Sequence, residues 1–290
     1  MAPTLLVLAA GMGSRFGGLK QIEPVGPSGE TVLDYGVFDA VRAGFGRVVF
    51  VVRREFLDAF RTAVAPKYAG RIAVDFVFQE PGDLPGGFAA PAARQKPWGT
   101  GHAVWCARRA VAGPFTVINA DDFYGASSYL KIASFLGSSD GPRFALVGFR
   151  LAQTLSENGT VSRGLCTASG GRLASIVEET AIAPSDVGAG RRFSGEEIVS
   201  MNFWGFTPDV FAGLEAGLRD FLGARGSDPK AEFYLPAAVS ALVSRGRATV
   251  EVLASEEPWF GITYREDRAR VAGAIGALVA SGAYPARLFG

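Results

Sequence analysis

Imidazole and thiol groups are scarce in this sequence: 290 residues contain one histidine and two cysteines. A disulfide framework or a thiolate zinc site needs more than Cys106 and Cys166, and any Ser-His-Asp scheme would depend on His102 alone. Neither charge sign is in excess, with 29 Lys+Arg against 28 Asp+Glu and a net +1. That balance argues against a nucleic-acid partner, because neutralising a phosphate backbone takes a basic surplus. No apolar run approaches the ~20 residues of a membrane span. The start, Met1-Ala2-Pro3-Thr4, lacks the basic segment that opens a signal peptide. The chain is therefore expected to be cytoplasmic, with no membrane partner. An apolar share of 48% with 20% charged residues suffices for a packed core.

What the chain does have is alternation. Residues 4–10 (TLLVLAA) form a short apolar run ending in glycines, as a buried parallel strand does. Further strands are expected at 47–52, 72–79, 115–119 and 144–149, with helices at 31–43, 54–64, 100–111 and 127–136 between them. This β-α-β-α order predicts an α/β fold, its mixed, mainly parallel sheet covered by helices on both faces. After residue 150, short strands at 161–167, 172–178 and 198–206 and helices at 208–222, 234–245 and 271–283 complete the pattern. No linker or repeat divides the chain, so one domain over 1–290 is expected. A Gly/Pro-rich loop at 81–97 is long enough to be a lid or an insertion.

Three segments carry chemistry. The first is LAAGMGSRFGGLKQ, from Leu8 to Gln21. A glycine loop after a buried strand brings backbone N–H groups close to an anion, and Arg15 and Lys20 add two positive charges. A triphosphate suits that combination, although a tight turn with both cations in solvent would read the same. The dinucleotide fingerprint G-x-G-x-x-G fails, since Phe16 stands where the third glycine belongs. The second segment is NADDFYG, from Asn119 to Gly125, at a strand end where α/β sheets bind ligands. Asp121, with Asp122 second, is placed to hold Mg²⁺, or else to cap the next helix. The third is KPWGTGHA, where Gly99 and Gly101 allow close approach at a helix start and His102 could face a base or phosphate. Gln79, ending the strand before this loop, has an amide able to pair with a base edge or to cap its strand.

With these pieces in order, the sequence resembles the sugar-1-phosphate nucleotidyltransferases. The likeness rests on LAAGMGSRFGGLKQ, Gln79, GTGHA and NADDFYG, and it is specific within the first 125 residues. It implies a GT-A-like, Rossmann-related fold and the reaction of an NTP, UTP by default, with a sugar 1-phosphate to give an NDP-sugar and pyrophosphate. Carried over by position, Ala10, Gly11, Gly13, Ser14 and Arg15 would hold the nucleotide phosphates, and Lys20 would act at the α-phosphate. Gln79, Gly99 and Thr100 would meet the base and ribose, and Asp121 would bind Mg²⁺. Asn158, Gly159, the Glu178-Glu179 pair and Asn202 fall where the family places acceptor contacts, making 1–150 the nucleotide half and 151–290 the acceptor half. One position departs: Gly261 stands where the family carries a second metal-binding aspartate after a tryptophan, here Trp259. Asp122, another acid, or water and substrate would then complete the metal shell. A cytidylyltransferase for a polyol or choline-type phosphate, and a non-catalytic nucleotide-sugar binder, share the same motifs.

Overall fold

The computed structural model describes residues 1–11, 20–262 and 265–289. Its first half is built on four strands: β1 (Thr4–Leu8), β2 (Arg47–Val52), β3 (Ala73–Phe78) and β4 (Phe115–Asn119). They run parallel in the order β3-β2-β1-β4. β1 lies in the middle of this array, and its alternate residues face opposite layers. Leu5 and Val7 join a core with α1 (Val32–Arg42), α2 (Leu57–Ala63) and α4 (Ala126–Gly137). Leu6 joins the core under α3 (Thr100–Cys106), α5 (Val210–Arg225) and α6 (Leu235–Ser244). Burial on both faces is why this strand reads as an unbroken apolar run. Helix α1 starts at a capping box in which Thr31 and Asp34 exchange side-chain and backbone hydrogen bonds.

The second half departs from parallel order. β6 (Arg143–Arg150), β7 (Val161–Ser169), β8 (Arg172–Ile182), β9 (Ile198–Phe206) and β10 (Thr249–Ala254) join the same sheet, nine strands among the described residues. β9 pairs antiparallel with β4, β6 and β7, while β6 pairs parallel with β10, and β10 and β7 both pair antiparallel with β8. Five strands thereby close a ring, β9-β6-β10-β8-β7. The expectation of a mainly parallel sheet holds for the first half alone.

Other differences are local. The helix expected at 100–111 ends at Cys106 and continues as a 3-10 turn to Arg109, and that at 54–64 begins as a 3-10 turn. Strand β10 and the two-residue antiparallel pair β5 (Asp122–Phe123) and β11 (Phe260–Gly261) are additions to the sequence reading. The last helix, α7 (Asp267–Ala280), starts earlier than expected. Among the described residues no helix is long and apolar enough to cross a membrane.

What matters for the site is register. Leu8 at the end of β1 pairs with Asn119 at the end of β4, and Ala120 N donates to Leu8 O at 3.2 Å. Residues 9–11 after β1 and the acids after β4 therefore leave the sheet side by side.

Candidate functional site

The carboxyl ends of these strands open into a cavity of about 390 Å³ walled by Ala10, Gly11, Gln79, Gly99, Thr100 and Asp121, among others. Gln79, just past β3, is 4% exposed. Its Nε2 donates to Gly99 O at 2.9 Å and lies 3.2 Å from His102 Nδ1. Gly99 has φ +98°, and a Cβ there would come within 2.8 Å of Phe233 O. Only glycine fits this passage, and the close approach it allows is to the Phe233 backbone rather than to a ligand. Lys96 and Pro97, from the 81–97 loop, also line the cavity. The loop is anchored by buried Arg94, which donates to the carbonyls of Lys96, Pro97, Asp228 and Ala231 and stacks 3.3 Å from the Trp98 ring centroid. Trp98 Nε1 in turn donates to Pro81 O at 2.9 Å, closing the loop at its base.

A second cavity of about 290 Å³ adjoins the first. Thr100, Asn119, Asp121 and Asn202 wall both. The inner face of the second carries Asp122, Glu178 and Arg163. Arg163 donates through Nε to Thr154 Oγ1 at 3.1 Å, through Nη1 to Ser162 O at 2.9 Å, and through Nη2 to Thr154 O. Burial draws its pKa down to about 10, against the opposing pull of Asp122 and Glu178. Burial likewise pushes the Glu178 carboxyl up, with Arg163 holding it back. Asn202 is one of two non-glycine residues with positive φ among those described, at +59°. Its Oδ1 is buried without a hydrogen-bond partner. A strained backbone and an orphaned acceptor on a wall common to both cavities are features that cluster at ligand sites.

Asp122 is tightly set. Its Oδ2 accepts from Asn119 Nδ2 at 2.8 Å and from Tyr124 Oη at 3.2 Å. Across the β5–β11 pair it faces Gly261, and a Cβ built at Gly261 would overlap Asp122 Oδ1. The space a side chain at 261 would need is thus taken by the Asp122 carboxylate. Among the described residues no three His, Cys, Asp or Glu side chains converge as a metal-binding group. Asp121 and Asp122 offer hard oxygen donors of the kind Mg²⁺ takes, with room for substrate and water in the rest of the shell.

Other expected residues fall elsewhere. Gly13, Ser14 and Arg15 lie outside the described residues, as does the side chain of Lys20, whose backbone opens the 3-10 turn Lys20–Ile22. Gln21 Nε2 donates to Gly11 O at 2.9 Å and so ties the two ends of the loop. Asn158 and Gly159 are not on the wall of either cavity. Asn158 Nδ2 instead donates to Asp267 Oδ1 at 2.9 Å, fastening a turn to the start of α7. Of the glutamate pair, Glu178 faces the cavity. Glu179 faces away and pairs with Arg192, because successive strand residues point to opposite sides. His102 is fully buried behind Gln79 and faces neither cavity. Arg163 is the functional candidate that the sequence reading missed. Its only signal there is a long cation at position three of an otherwise small and apolar strand.

No protein-family profile and no curated protein sequence matches the chain. Solved structures do. The inositol-1-phosphate CTP transferase from T. maritima aligns with a TM-score of 0.68 at 15% identity, over 96% of this chain and 96% of that one. A UDP-glucose pyrophosphorylase complexed with UDP-glucose aligns at 0.64 and 16% identity, over 96% and 99%. The UDP-glucose pyrophosphorylase from Acinetobacter baumanii gives 0.60 at 16%, over 95% and 94%. At this identity the likeness establishes a shared fold along the whole chain.

Proposed function

We propose that the chain is a nucleotidyltransferase that joins a nucleoside triphosphate to a phosphorylated sugar or polyol and releases pyrophosphate by magnesium-assisted in-line displacement. The observation that carries this reading is the wall common to the two cavities at Thr100, Asn119, Asp121 and Asn202. Two ligands seated on either side of Asp121 would meet there, as a reaction that joins them requires. The Gln79 amide on the wall supports a nucleobase in the first cavity. In the second, carboxylates, amides and the Ser162 and Ser200 hydroxyls suit a polyhydroxylated acceptor, and Arg163 suits its phosphate. One of the structural neighbours is complexed with UDP-glucose, the class of product this reading requires.

In this reading, residues 1–150 form the nucleotide half and 151–290 the acceptor half of a single GT-A-like domain. A phosphate oxygen of the acceptor attacks the α-phosphorus. The bond from that phosphorus to the β-phosphate oxygen breaks, and pyrophosphate leaves with the electron pair. The acceptor phosphate is already an anion at neutral pH, so no general base is needed, consistent with a chain whose one histidine is buried away from both cavities. The protein's task is to hold two repelling anions in line and to spread the charge that builds at the α-phosphate. Backbone amides from Ala10 to Gly13, the hydroxyls of Ser14 and Thr100, and the cations Arg15 and Lys20 are assigned that task. Magnesium would be held by Asp121 and Asp122, and when bound it neutralises triphosphate charge. UTP with a hexose 1-phosphate is the default pairing.

The test is a panel of nucleoside triphosphates against sugar and polyol phosphates, scored by magnesium-dependent pyrophosphate release. Turnover with one pair is expected. Replacement of Asp121 by Asn or of Lys20 by Ala should lower it by at least ~100-fold, as the loss of an electrostatic catalytic group does. Nucleotide binding without turnover for any pair would make the chain a binding protein instead.

A further inference from the structure

The single histidine is fully buried and stands directly behind Gln79. Its Nε2 lies 2.6 Å from the backbone oxygen of Asp83. A carbonyl oxygen only accepts, so that ring nitrogen carries a hydrogen. Burial draws the imidazole pKa down to about 4, opposed by the Asp83 carbonyl, and the ring is neutral at physiological pH. In a neutral ring protonated at Nε2, Nδ1 is an acceptor. The Gln79 group 3.2 Å from Nδ1 must then be a donor, which makes it the NH₂ and not the oxygen. Gly99 O, 2.9 Å away on the other side, imposes the same orientation. Both amide hydrogens are spent on these partners. Gln79 Oε1 has no hydrogen bond within the described residues and, unlike Oε1 of Gln21, is not sealed from solvent. The amide orientation therefore follows from donor and acceptor satisfaction rather than from atom placement.

We propose that His102 is a positioning residue whose Nε2–H tautomer locks the Gln79 amide with Oε1 alone offered to the nucleotide cavity. The site then selects bases with a ring N–H at the pairing edge (uracil, thymine, guanine) over those with a bare ring nitrogen (cytosine, adenine). This rests on the function proposed above. A freely turning glutamine amide could pair with either kind of edge, donating or accepting as required. A locked one sets an oxygen lone pair against the bare nitrogen of cytosine where uracil presents N3–H, and cytosine can satisfy it only through its exocyclic amine from a shifted position. Asp83 is itself held by its backbone N–H to Glu80 O at 3.1 Å and by a side-chain pair with Arg108, so the carbonyl that fixes the tautomer is fixed in turn.

Two measurements on the unmodified protein decide this. With one histidine in the chain, ¹⁵N-histidine labelling gives one imidazole spectrum, expected to show the Nε2–H tautomer at pH 7; the Nδ1–H tautomer or an imidazolium would overturn the lock. Calorimetry with magnesium and UTP, GTP, CTP or ATP is expected to favour the first two by about tenfold or more, the ratio that one good hydrogen bond confers. Equal affinities would overturn base selection while leaving the proposed function intact. No binding of any triphosphate would overturn both. In His102→Leu, whose fold is checked by circular dichroism, the UTP-to-CTP ratio should narrow, because Gly99 O is then the one remaining partner that holds the amide in place. An unchanged ratio would remove His102 from the account.

Discussion

Asp122 and Gly261 are one arrangement seen from two strands. They face each other across the β5–β11 pair, and the carboxylate fills the space that a side chain at 261 would occupy. Glycine there is a condition for Asp122 to sit where it does, held by Asn119 and Tyr124. Gly261→Ala is therefore expected to push the carboxylate aside, with Trp259 blocking escape on the other side. Stability should fall by about 1–3 kcal/mol, the usual cost of overpacking, and the magnesium concentration for half-maximal turnover should rise. Denaturant melts and a magnesium titration check the two effects separately. Unchanged magnesium dependence with the expected loss of stability would leave Asp122 a purely structural acid. The glutamate pair gives a sharper contrast. Glu178→Gln should raise the acceptor KM tenfold or so, the worth of one hydrogen bond to a charged group. Glu179→Gln removes only an exposed pair with Arg192 and should stay near the parent activity.

At the scale of elements, the 81–97 loop owes its position to one buried guanidinium. Arg94 satisfies four carbonyls, two within its own loop and two in the 228–231 segment, and no single-nitrogen cation can reproduce that fork. Arg94→Lys should therefore loosen Lys96 and Pro97 at the rim of the nucleotide cavity. A severalfold rise in the triphosphate KM with little change in kcat is expected, together with faster proteolytic cutting between residues 81 and 97. A kcat loss at constant KM would place the loop's effect elsewhere. Strands and helices of the first half were legible in the sequence where a regular face is buried: β2 spans the same residues as expected, and α4 differs by one residue at either end. Strand β10 escaped notice because TVEVLA is short and carries Glu251, which pairs with Arg143 on β6. β5 and β11 are two residues each and meet across more than a hundred positions, which no local pattern encodes. Asp121, Asp122, Gln79 and Thr100 were legible as strand-end or helix-start polar residues. Arg163 was not, since a cation on a strand ordinarily marks a solvent face, and only the ring of strands turns that face inward.

Across the whole molecule, the segment after the last helix is fastened to α1 by a buried acid. Helix α7 and the segment after it pack on α1, β5 and β11 in one apolar cluster that includes Tyr35, Phe123, Phe260 and Tyr284. Within it Tyr284 Oη donates to Asp39 Oδ2 at 2.6 Å, 245 positions away in the sequence. Burial pushes the Asp39 carboxyl up to about 7, with Glu257 adding to the rise and Tyr284 and Arg42 opposing it. The folded state thus holds a proton on Asp39 through a range in which the unfolded chain, with an ordinary aspartate near 4, has released it. Where the folded state binds the extra proton, stability falls as pH rises. The contribution is fully present below about pH 4 and is lost progressively up to about pH 7, a decline on the order of a few kcal/mol. Asp39→Asn keeps an acceptor for Tyr284 but has no proton to lose, so the parent's stability measured against this variant should decline over the interval, while buried His102, whose lowered pKa makes stability rise with pH there, contributes equally to both curves. Urea unfolding at half-unit steps from pH 4.5 to 7.5 makes the comparison. Parallel curves for the two proteins would mean that Asp39 is ionised in the folded state and that its bond with Tyr284 carries a buried charge.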